Sequence, residues 1–171
     1  MTFLDRIFRT RRDSAALRPL YDSIVAIGRD PSWYREGAVP DTVDGRFDMV
    51  SAILSLVLLR LEREGDAARR ESVQLTEIFI DDMDASLRQI GIGDFVVGKH
   101  VGKMMGALGG RLGAFRSAGG DLAPAVRRNI FRDSPPSEDR LAWVAGRLDL
   151  FAAGLGDLPL DALVDGKLPT L

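Results

Sequence analysis

From Met49 to Leu59 the chain is apolar at every position except Ser51 and Ser55. A helix at a protein surface shows one apolar stripe and one polar face. This stretch has no polar face, so it predicts a helix covered on all sides. It is also far shorter than the ~20 apolar residues that cross a bilayer, so it reads as the central helix of a soluble all-helical domain. The helix should start near Thr42–Asp44 and continue to about Glu64, where Gly65 and Asp66 break it.

The same reading places the other elements. A first helix covers about Phe3–Arg9. A second runs from about Ser14 to Ile27, with Asp13 or Ser14 as N-cap and Gly28 as stop. Asp30-Pro31 predicts a cap and a short turn through Tyr34. A fourth helix spans about Ala67–Ile90. Gly91 and Gly93 bracket a tight turn, Asp94 caps a fifth helix to about Ser117, and Gly119-Gly120 ends it. Asp121 caps a short basic helix through about Phe131. Ser134 before Pro135 caps the last long one, Pro136–Leu155, with Leu141, Trp143, Val144, Leu148 and Phe151 at helical spacing. No strand pattern, internal repeat or low-complexity segment is present. The expectation is an all-α, single-domain bundle of about six to seven helices. Residues 1–12 form a basic amphipathic N-terminal segment, 13–155 the helical domain, and 156–171 a tail that is irregular or one short turn.

Composition narrows the function classes. The chain has 171 residues, 46% of them hydrophobic, and a formal charge of −2, so specific DNA binding is not expected. It has no cysteine, which removes disulfides, thiolate metal sites and cysteine nucleophiles. Charged residues interrupt the N-terminus, and no secretory core is seen. The expected location is the cytoplasm, with peripheral contact at the inner membrane left open. The charge is sorted into blocks: residues 1–18 hold five Arg against two Asp, 62–94 hold nine acids against four Arg, and 94–132 hold seven Lys and Arg against two Asp. Such segregation steers and orients partners. For the basic N-terminus, docking onto the core and lying on an anionic membrane both stay open.

The fifth helix has three faces. Val97, Val101, Met104, Met105, Leu108, Leu112 and Phe115 share an apolar one. Gly98, Gly102, Gly106 and Gly110, with Gly109 and Gly113, form a smooth second one. Lys99, His100, Lys103 and Arg111 form the third. Each interior glycine costs about 1 kcal/mol relative to alanine, so the six together need compensation. Close packing on a neighbouring helix of the same domain is the first reading, and a strip left free for a partner helix is the second.

The candidate chemistry is sparse. Asp81, Asp82 and Asp84 resemble the magnesium-binding acids of helical isoprenoid synthases, but Ala85 stands where a DDxxD motif needs an acid. A solvated helix face explains them better. Asp41, Asp44 and Asp48 with Gly45 lack the alternation of a calcium loop, and capping and dipole interactions account for most of them. Arg46 is placed to pair with one of these aspartates. His100 is the single histidine and has no partners for a metal site. No catalytic residues, no metal and no cofactor are expected.

Two blocks carry a resemblance to a known family: YREGAVPDTVDGRFDMV, Tyr34–Val50, and FIDDMDASLRQIGIGDFVVGKHVGKM, Phe79–Met104. On these, and over roughly Leu17–Trp143, the chain resembles the ubiquinol–cytochrome c chaperones, helical assembly factors for cytochrome b of the bc1 complex. The glycine density between Gly98 and Gly113 exceeds what the resemblance implies. The short N-terminus fits a bacterial member. The resemblance implies a non-enzymatic role, with newly made cytochrome b as client and, as in mitochondrial members, a small partner subunit and the ribosome as further partners. Partner-binding candidates are the loop residues Tyr34, Asp41, Thr42, Asp44 and Arg46, and the basic face of Lys99, His100, Lys103 and Arg111. The loop residues are equally readable as structural. The alternatives are a magnesium–diphosphate enzyme of isoprenoid-synthase type and a general ribosome- or protein-interaction module.

Overall fold

Helix α3, Val43–Glu62, is the axis on which the other helices pack. Thr42 caps it, its Oγ1 accepting from the Gly45 N–H at 3.0 Å, and Asp44 lies in the first turn, where the helix dipole favours an acid. A Cβ at Gly45 would sit 1.9 Å from the Pro40 carbonyl oxygen, so the loop closes onto the helix only over glycine. The two serines are not exposed: Ser51 donates to the Phe47 carbonyl at 2.7 Å and Ser55 to that of Ser51 at 2.6 Å. Bonding to the preceding turn lets a hydroxyl be buried without leaving it unpaired.

The computed structural model describes residues 15–89, 91, 94–132, 134 and 136–171. The expected helix Phe3–Arg9, the segment 1–12, the caps at Asp13 or Ser14, Gly93, Pro135 and the Val97 and Asp94 side chains lie outside the described residues. Helix α1 is Arg18–Gly28, α2 Ser32–Arg35, α4 Arg69–Gln89 and α5 Asp94–Arg116. A short 3-10 turn, Gly65–Ala68, joins α3 to α4. Then come α6, Ala123–Val126, a π-helical turn, Arg127–Phe131, and the helices α7, Glu138–Gly156, and α8, Leu160–Val164. No strand occurs among the described residues. The all-α bundle around the apolar helix is therefore the architecture found. Helices α1, α4, α5, α7 and the π turn all contact α3. Where α1 ends, a Cβ on Gly28 would lie 2.7 Å from the Val50 Cα, so glycine lets the two backbones touch.

Two local expectations shift, at the short basic helix and at the start of α7. Helix α1 has Leu17 at its N-cap position with no side-chain cap, and Pro19 sits in the first turn. Proline is tolerated there because its missing N–H has no helical partner to lose. The short basic helix is a single turn of α followed by a π turn that ends at Arg132, a non-glycine residue with φ of +45°. Ser137, not Ser134, caps α7, accepting from the Arg140 N–H at 3.4 Å, with Glu138 and Asp139 in the first turn. The last fifteen residues contain α8, whose Leu163 is fully buried. Ser23 donates to the Gly166 carbonyl at 2.9 Å. Arg60 of α3 donates to the Leu155 and Leu158 carbonyls at 2.9 and 2.8 Å. These bonds hold the C-terminal segment against α1 and α3.

Candidate functional site

The loop between α1 and α3 is braced from below. Asp30 accepts from the Ser32 N–H at 2.8 Å and from its hydroxyl, which turns the chain into α2. Trp33 is fully buried, donates to the Ile27 carbonyl at 2.7 Å, and meets Trp143 of α7 edge-on at 5.8 Å. The Arg147 guanidinium lies 5.3 and 4.7 Å from these two indoles. Tyr34 donates to the Gly28 carbonyl at 3.0 Å, and burial pushes its hydroxyl above the usual range. Arg46 reaches back to Asp41 at 2.7 Å, and its hydrogen bond holds the Asp41 carboxyl below the usual value. The loop is thus clamped by Arg46 as anticipated.

This bracing gathers Tyr34, Asp41 and Arg46 with Arg29, Pro31 and Arg35 around an open concavity of about 530 Å³. A second, smaller cavity of about 180 Å³ adjoins it and shares Arg29 and Arg46. Apart from Ser86 its remaining walls are apolar: Val43, Phe47 and Val50 from α3, Met83 and Leu87 from α4, Met104 from α5. Thr42 and Asp44 serve the start of α3 and line neither space. Arg29 and Arg35 were not singled out from sequence. Arg29 follows a helix stop, where a cation is common for dipole reasons alone, so residue type gave no sign of a shared wall.

The other predicted set separates. Lys99 and Lys103 are exposed and His100 is half-buried. Arg111 does not join them at the surface: it is 1% exposed and pairs at 2.8 Å with Asp48, itself 2% exposed. Arg111 also donates to the Asn129 carbonyl at 2.8 Å and to the Ser51 hydroxyl. Arg132 reaches the same Asp48 carboxylate at 2.5 Å. Burial pushes the Asp48 carboxyl up, against the pull of both arginines, and lowers the Arg111 pKa despite Asp48. Arg111 was grouped with the lysines, but at about 100° per residue it lies about 20° from Met104 and about 120° from Lys99, and the carboxylate and hydroxyl of α3 receive it there.

The glycine strip is corrected as well. A Cβ at Gly98, Gly102, Gly106, Gly109, Gly110 or Gly113 would meet nothing within 4 Å. Close packing on a neighbouring helix of the same domain is therefore not its role among the described residues. The acids of α4 have local partners: Tyr21 donates to Asp82 at 2.8 Å, and Asp84 pairs with Arg88 at 2.7 Å. Burial, and then the Asp82 contact, push the Tyr21 hydroxyl far above its usual range. Among the described residues no group of three or more His, Asp or Glu is placed to hold a metal. No helix among them is long and apolar enough to cross a membrane. What the loop and cavity assemble is an apolar hole beside a cationic shelf.

The model of a family described as ubiquinol-cytochrome C chaperone matches residues 35–170. The crystal structure of the Cbp3 homolog from Brucella abortus is similar throughout, with a TM-score of 0.80 and 30% identity over 99% of this chain and 97% of that one. No curated protein matches the chain.

Proposed function

Because the chain belongs to the ubiquinol-cytochrome C chaperone family, we propose that it binds newly made cytochrome b, without catalysis, and promotes assembly of the bc1 complex. The observation that carries this reading is the family match, which takes in helix α5, the smaller cavity apart from Arg29, and Arg35, Asp41 and Arg46 of the larger concavity. An apolar hole beside arginines suits a protein whose work is to hold a chain segment rather than transform a small molecule. The exposed Lys99 and Lys103 are the side chains we assign to contact with the ribosome or a small partner subunit. The client is a membrane protein, so the encounter takes place at the membrane periphery.

Deleting the gene in the native host and measuring cytochrome b and assembled bc1 complex tests this. Both should fall and return when the gene is restored. Normal cytochrome b in the deletion strain would sink the proposal.

A further inference from the structure

The two concavities have one wall in common, and that wall is cationic. The 180 Å³ cavity opens beside Val43, which is 60% exposed at its lip. A cavity of about 150 Å³ takes one benzene, so this one takes a single bulky side chain such as Phe or Leu. Two of the six apolar residues in its wall are methionines, which adapt their shape to what enters. On the neighbouring shelf, Arg29, Arg35 and Arg46 face one aspartate, Asp41. Arg46 is committed to that aspartate, and Arg35 lies 3.8 Å from Glu36 in an exposed pair. The Arg29 guanidinium has no carboxylate partner among the described residues, yet it borders both spaces.

We infer that this is a docking site for a peptide segment carrying one bulky apolar residue next to acidic ones. The apolar side chain enters between α3, α4 and α5, and the carboxylates lie on Arg29 and the shelf. Charge complementarity selects the occupant: an anchor flanked by lysine or arginine would set like charges against Arg29. A buried anchor surrounded by oriented polar contacts is how small interfaces concentrate their binding energy. The inference stands whatever the client is, so it and the cytochrome b reading fail separately.

The test uses the full chain with 13C-labelled methionine methyl groups and a 12-residue peptide bearing one Phe flanked by Asp and Glu. The peptide should shift the Met83 and Met104 methyl signals, and its Phe→Ala version should not. A version with the acids changed to Lys should bind at least tenfold more weakly. In the protein, Arg29→Glu should weaken binding at least tenfold, and Val43→Trp, at an exposed position where the new ring covers the hole, should abolish it. Unchanged far-ultraviolet circular dichroism checks that both variants fold. No methyl shift at millimolar peptide would overturn the inference, as would binding indifferent to Arg29→Glu. Vesicles of anionic lipid that shift the two methyls where the peptide does not would assign the site to lipid instead. A concentration-dependent shift without peptide would assign it to a second copy of the chain.

Discussion

Asp48 and Arg111 show how much can depend on a single buried pair. Taking two charges out of water is costly, and their attraction offsets that cost only when geometry and further hydrogen bonds are good. Here Asp48 accepts from two arginines, while Arg111 bonds Asp48, Ser51 and Asn129. The Arg111 Nε has no hydrogen-bond partner among the described residues, so the site is held by one edge of the guanidinium. Asp48→Leu should cost about 3–5 kcal/mol by leaving the buried Arg111 charge without a carboxylate, and Arg111→Met should cost less, because Arg132 still pairs with Asp48. The double variant should be close to wild type, because both desolvation costs disappear together. Urea unfolding of the four proteins checks this, and additive losses would show that the pair is not a unit. The pairing itself was not legible beforehand. Helical period sets Arg111 beside Met104 rather than beside Lys99, but that a carboxylate meets it there depends on what an element 63 residues earlier presents. The Arg46–Asp41 clamp was legible because both partners lie in one short loop.

Helix α5 separates what an element's own sequence determines from what its neighbours determine. Its limits, Asp94 to Arg116, agree closely with the Asp94 cap and the Gly119-Gly120 stop, because starts and stops are local chemistry. The meaning of its glycines is not local, since identical spacing suits a helix pressed on a neighbour and one left open. With nothing within 4 Å of the missing Cβ atoms, the glycines retain their conformational cost without a packing gain inside the chain. Gly102→Ala and Gly106→Ala should each therefore stabilise the protein by about 0.5–1 kcal/mol, through lower entropy in the unfolded chain. The urea midpoint should rise with an unchanged slope. A lower midpoint would mean that another part of the chain comes closer to these positions than the described residues do. The π turn is the opposite case. No local signal marks Arg127–Phe131 as π rather than α; the turn offers the Asn129 carbonyl to Arg111 and delivers Arg132 to Asp48.

On the scale of the whole molecule, the fold was readable because one helix is so apolar that only a bundle can cover it. The contacts of α3 with α1, α4, α5 and α7 are that requirement met. The distribution of surface charge was readable only in part. Charge blocks along the chain do not become patches in space, since Arg111 was drawn into the interior while Lys99 and Lys103 stayed out. A face assigned to steering should depend on the lysines and not on the buried arginine. Lys99→Glu with Lys103→Glu should leave unfolding within about 0.5 kcal/mol of wild type, as exposed substitutions usually do. It should still restore less cytochrome b to the deletion strain than the wild-type gene does. Long-range steering between exposed charges is screened over about 8 Å at physiological salt. Binding of the variant to isolated ribosomes should therefore differ most from wild type at low salt, the difference shrinking as salt is added. Full restoration of cytochrome b, with equal ribosome binding at low salt, would mean that these two lysines do no more than keep the surface wet.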